Sequence, residues 1–60
     1  MTTDQKIKRI ETLTNALQRG RFKLEQRWLV HQEKAYLINS LSEFPTLKPY
    51  KIPENLEKLL

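Results

Sequence analysis

Residues 22–41, FKLEQRWLVHQEKAYLINSL, carry the single tryptophan of the chain and most of the large side chains of its middle. Read as a helix at about 100° per residue, they set Leu24, Trp28, His31, Ala35 and Ile38 on one face, at spacings of four, three, four and three. Phe22, Leu29 and Tyr36 fall on a flank of that face, and Val30, Leu37 and Leu41 fall roughly opposite it. A helix apolar on most sides needs cover on most sides. Forty other residues, many of them charged, can hardly supply all of it. The face from Leu24 to Ile38 is expected to be the packing seam, and the surplus apolar surface predicts association.

Sixty residues make at most one small domain, spanning 1–60. A chain of this size buries only about 60% of the surface that it exposes when unfolded, so its core is marginal. No cysteine is present, which excludes a disulfide framework and a cysteine-ligated zinc site, and His31, the lone histidine, cannot hold a metal by itself. The staple left to such a chain is oligomerisation or docking on a partner. Eleven Lys and Arg against seven Asp and Glu give a net charge of +4, which permits an acidic partner without demanding one. No apolar run is long enough to span a membrane, and the start MTTDQKIKR lacks the apolar centre of a signal peptide. The expectation is a cytoplasmic protein.

Thr2, Thr3 and Asp4 offer an N-cap ahead of Ile7, Ile10, Leu13 and Leu17, which with Ala16 form a narrow apolar stripe, so a first helix is expected over 4–19. Gly20, the only glycine, decides the architecture. In the left-handed conformation it would end that helix and fold it back on a second helix, 22–41, as a hairpin. Against this, no Ser, Thr, Asp or Asn caps a new start in Arg21, Phe22, Lys23 and Leu24. The apolar phase also runs on from Ile10 through Leu17, Leu24 and Trp28 to Ile38, and a glycine inside a helix costs only about 1 kcal/mol relative to alanine. The hairpin is the first expectation and a long bent helix the second. A strand over Phe22 to Val30 is weakened by the helix formers Glu25, Gln26, Gln32, Glu33 and Lys34.

Prolines at 45, 49 and 53 exclude helix over 42–52, where an extended arm is expected. Phe44, Leu47, Tyr50 and Ile52 make that arm too apolar for a free linker, so it should lie along something. Pro53 suits the first position of a short helix, 53–60, with Leu56, Leu59 and Leu60 on one side. Eight residues do not hold a helix alone in water, so this one must dock too.

None of the catalytic or phosphate-binding spacings occurs: no G-x-S-x-G, H-E-x-x-H, C-x-x-C or glycine-rich loop. His31 reads as a structural or interfacial residue, and the chain is expected to be no enzyme, with no cofactor, no metal and no small-molecule substrate. Arg19, Arg21, Lys23 and Arg27, relieved only by Glu25, give residues 19–27 a basic character. On one helix Arg19, Lys23 and Arg27 would climb a single side, joined by Lys8 and Lys34 if the helix were continuous. Such a stripe contacts phosphates rather than bases. Its plainer reading is a solvated face.

The sequence therefore points to an all-α protein of two helices, a proline-rich arm and a short C-terminal helix, dimeric through its central helices. The expected function is protein binding, as an adaptor, assembly factor or inhibitor acting on a larger protein. Phe22, Leu24, Trp28, Leu29, Tyr36, Leu37, Ile38 and Tyr50 are the expected partner or dimer interface. The alternative is a small nucleic-acid-binding regulator contacting its ligand through Arg19, Arg21, Lys23 and Arg27.

Overall fold

The computed structural model of the protein describes residues 1–60. Three helices succeed one another, α1 (Thr3–Gln18), α2 (Leu24–Ser40) and the single-turn α3 (Glu54–Glu57), and no strand is present. Helix α1 starts where local chemistry favours it. The Thr2 hydroxyl accepts from the Gln5 amide at 3.2 Å while the Gln5 side chain accepts from the Thr2 amide at 2.9 Å, a reciprocal cap that satisfies two otherwise unpaired donors.

At the other end of α1, Gly20 adopts φ +69 and breaks the helix. A left-handed residue at this position turns the chain, and only glycine does so without Cβ strain. The hairpin is formed and the continuous helix is not. In place of a Ser, Thr, Asp or Asn cap, the start of α2 uses Gln26 in its first turn, whose side-chain oxygen accepts from the Lys23 amide at 2.9 Å. Phe22 also anchors the turn, being buried in the core.

The core consists of Leu13 and Ala16 from α1, Phe22 from the turn, Val30 and Leu37 from α2, Ile52 from the connection and Leu56 from α3. Leu13, Val30 and Leu56 are almost wholly inaccessible, and a leucine so placed contributes about 2 kcal/mol through its apolar burial. Ile10, Leu17, Leu29, Tyr36, Tyr50, Leu59 and Leu60 pack around this centre at partial burial.

The orientation of α2 departs from the expected one by about half a turn. The seam Leu24, Trp28, His31, Ala35 and Ile38 faces outward, and the face holding Val30, Glu33 and Leu37 packs inward. The physical reason is Glu33. Counted as a surface residue, it hides the inward face from any apolar pattern, yet it is buried to 3% exposure and fully paired. Ile7 is likewise half exposed, because the inward face of α1 is centred on Arg9, Leu13 and Ala16.

Residues 42–52 form neither helix nor strand. The arm does not lie flat along its length. Phe44 is 77% exposed and Leu47 about half exposed, whereas Tyr50 and Ile52 reach the core. Asn39 holds the first part of the arm against the end of α2, its side-chain oxygen accepting from the Thr46 and Leu47 amides at 2.8 and 2.9 Å. The C-terminal helix is shorter than expected: Pro53 stands just before it as its cap, and its regular part ends at Glu57.

Candidate functional site: the outward face of helix α2

Leu24 and Trp28, 74% and 73% exposed, lie one turn apart on α2, and His31, Ala35 and Ile38 continue the same line toward its end. The spacing of four, three, four and three, which repeats at 3.5 residues, is that of a helix seam prepared for another helix. Nothing in the chain covers it. A hollow bounded by Leu24, Arg27, Trp28 and His31 lies on one side of the indole, and a second, bounded by Trp28, His31, Gln32 and Ala35, lies on the other. Together they give the face a knob with a shallow recess at either side.

The two flanks of this line differ in charge. Helical geometry puts Arg27 and Lys34, seven residues or about 10 Å apart along the axis, on one flank, and Glu25, Gln32 and Asn39 on the other. Neither Arg27 nor Lys34 is engaged in an ion pair, since the ion pairs of the structure are those of Arg9. At the N-terminal end of the line, Arg21 and Lys23 are exposed in the turn.

The expected interface residues are thus split. Leu24, Trp28 and Ile38 are on the open face; Phe22 and Leu37 are inside the core and cannot meet a partner; Leu29, Tyr36 and Tyr50 are half-buried against the core. Burial of Phe22 and Leu37 results from the hairpin turn and from the inward aim of Glu33. The basic residues do not form one helical stripe, because the helix is broken between them. Arg19 caps the end of α1 and donates to the Leu60 carbonyl at 3.3 Å, Arg21 and Lys23 belong to the turn, and Arg27 alone sits in α2. Lys8, on α1, is no neighbour of Lys34 on a common stripe.

A cluster that the apolar pattern does not reveal lies on the inward side. Glu33 Oε2 accepts from Arg9 Nε at 2.6 Å, and Glu33 Oε1 accepts from Arg9 Nη2 at 3.1 Å and from the Ile52 amide at 2.9 Å. The far edge of the same guanidinium donates to Glu57, with Nη2 to Oε2 at 2.7 Å. One arginine thereby ties α1, α2 and α3 together. The hydrogen bonds to Glu57 and Glu33 raise the Arg9 pKa further and so hold it charged, while the hydrogen bond from Arg9 lowers the Glu57 carboxyl below its usual range. The sequence signal was Arg9 itself, set four and seven residues before Leu13 and Ala16 on the inward face.

No buried side-chain polar atom lacks a hydrogen-bond partner, so the interior holds no free donor or acceptor aimed at a ligand. His31 is exposed and pairs with no carboxylate, and no group of three or more acidic or histidine side chains gathers in a metal-holding arrangement. No helix is long and apolar enough to cross a membrane. Comparison with known proteins adds no relative: no family model, no curated protein and no solved structure matches the chain.

Proposed function

We propose that the protein is a non-enzymatic protein-binding module, an adaptor, assembly factor or inhibitor that docks on other proteins through the outward face of α2. The observation that carries this reading is the exposure of Trp28 and Leu24 one turn apart on a single helix face, 73% and 74%, with Ile38 half exposed further along the same line. Large aromatic side chains concentrate at the centres of interfaces, where they supply much of the binding energy. Phe44 and Leu47, past the end of α2, are further exposed apolar side chains. The setting that goes with this reading is the cytoplasm.

Two other readings use neighbouring features. Self-association through the same face is favoured by its regular 3.5-residue spacing, which a second copy would share. Nucleic-acid binding is favoured by Arg21, Lys23 and Arg27, all exposed and outside any ion pair. A photoreactive side chain placed at Gln32, beside Trp28, separates the three when cross-linked in cells of the native host. The expected result is an adduct with a different protein that survives nuclease and disappears with Trp28→Lys, while the same group at Asn15 on α1 gives none. An adduct of twice the chain's own mass supports self-association, and a nuclease-sensitive adduct supports the nucleic-acid reading. Equal adducts from Gln32 and Asn15 would overturn the assignment of this face.

A further inference from the structure

The α2 face runs about 20 Å from Leu24 to Ile38 at 1.5 Å per residue, a length that a helix of four turns or so would cover. Its knobs recur at the interval that a facing helix can receive, and the recesses on either side of Trp28 accept side chains one turn apart. An amphipathic helix is the occupant that matches this shape.

The charges beside the line choose between a second copy and another protein. Were the occupant a second copy running antiparallel, Arg27 of each chain would approach Lys34 of the other, twice by symmetry. Were it parallel, Arg21, Lys23 and Arg27 of both chains would gather at one end. An antiparallel copy thus sets two cationic edges against each other. A parallel copy, which turns that edge toward the Glu25, Gln32 and Asn39 flank of the other chain, meets Arg27 and Lys34 mainly with neutral Gln32 and Asn39 while two chains of net charge +4 join at their basic ends. Like charges brought face to face at an interface are destabilising, and opposite ones choose the partner and speed its approach.

We infer that the occupant of the α2 face is an amphipathic helix of another protein, with acidic residues along the edge that meets Arg27 and Lys34. This rests on the protein-binding reading and adds the chemistry of the partner. Leu24, Trp28 and Ile38 take its apolar side. Arg27 and Lys34 are met by carboxylates two turns apart on its edge, and Arg21 and Lys23 extend the attraction past its end. The opposite flank, Glu25, Gln32 and Asn39, asks for neutral or basic residues there, which fixes the direction in which the partner lies.

Two synthetic peptides of about 18 residues with the same leucine seam, one carrying Glu and the other Lys on the edge facing Arg27 and Lys34, test this with the full chain. Fluorescence anisotropy of the labelled peptide gives the affinity, and the emission of Trp28, the only tryptophan, reports whether binding covers it. The Glu-edged peptide is expected to bind about tenfold or more tightly than the Lys-edged one at low salt, with a blue shift of the tryptophan emission. The double variant Arg27→Glu, Lys34→Glu, both outside the core, should reverse the preference. Equal binding of both peptides, or binding of neither, would overturn the inference. A dimer in sedimentation at micromolar concentration that Trp28→Lys dissolves would overturn it also, with a second copy as the occupant. If Gln32 still cross-links a different protein while the peptides show no preference, the charge argument alone fails; if the cross-link is missing as well, the binding face itself was misassigned.

Discussion

Arg9 and Glu33 meet inside the protein, Nε to Oε2 at 2.6 Å, with both side chains largely removed from water. A carboxylate buried to this extent is tolerated because it accepts from Arg9 twice and from the Ile52 amide once, so that its oxygens are satisfied and its charge is matched. The same arrangement fixes which way α2 faces. Rotating α2 to bury Trp28 would carry Glu33 into solvent and leave the Arg9 and Ile52 donors without their acceptor.

Removing one partner of such a pair leaves an uncompensated buried charge, which costs about 3–5 kcal/mol. Arg9→Met should therefore destabilise the fold by an amount comparable with the whole stability of a chain this small, about 3–9 kcal/mol. The double variant Arg9→Met, Glu33→Gln should recover part of the loss, since the amide leaves no unpaired charge and its oxygen still accepts from the Ile52 amide. Urea denaturation of the two proteins decides it: a double variant less stable than Arg9→Met would refute the pairing.

Gly20 should respond to alanine by losing stability. Its φ of +69 strains any residue with a Cβ, although nothing lies within 4 Å of where that atom would be, so the cost is one of backbone alone. Gly20→Ala is expected to destabilise by about 1 kcal/mol, and Gly20→Asn by less. A higher melting temperature for the alanine variant would contradict the hairpin.

The acid limb of stability should carry the signature of Glu57. Its carboxyl pKa is lowered in the folded protein by the hydrogen bond from Arg9, so the folded state binds fewer protons than the unfolded one in this window. The stability it contributes is complete above the usual carboxylate pKa, near 4.3, and is lost as the pH falls through the depressed folded value. Melting temperatures of the parent and Glu57→Gln should differ at pH 7 and converge in acid. A difference that grows on acidification would reverse the sign and remove the assignment.

The C-terminal segment divides into a part that stabilises and a part that does not. Ile52 and Leu56 are 4% and 1% exposed, and truncating either to alanine should cost about 2–5 kcal/mol. Phe44→Ala, at a site 77% exposed, should change stability by less than about 0.5 kcal/mol. Trp28→Ala belongs with Phe44 in this respect. Thermal melts in which Trp28→Ala or Phe44→Ala destabilised as much as Leu56→Ala would show that these aromatics are part of the core.

The break at Gly20 was the first of two readings that the sequence allowed, since the apolar phase runs on past it and a glycine inside a helix costs little. The all-helical class, a cap near Thr2 and the loss of helix through the prolines were legible in the sequence, because each depends on a residue and its immediate neighbours: a hydroxyl just ahead of a periodic stripe, a ring without an N–H. The side of α2 that turns inward was not. The segment 22–41 is apolar on opposed faces, so periodicity alone favoured the regular line from Leu24 to Ile38, and that line is the one left open. The choice was made by groups far apart in the chain. Glu33 becomes an interior residue only when Arg9 and the Ile52 amide arrive from either side, and this neutralisation exists in three dimensions and nowhere along the sequence. Burying the inward face satisfies a charge and a backbone donor as well as apolar area, whereas burying Trp28 would satisfy area alone. The tertiary structure therefore commits Phe22 and Leu37 to the core and leaves Leu24, Trp28 and Ile38 outside it, where another protein can reach them.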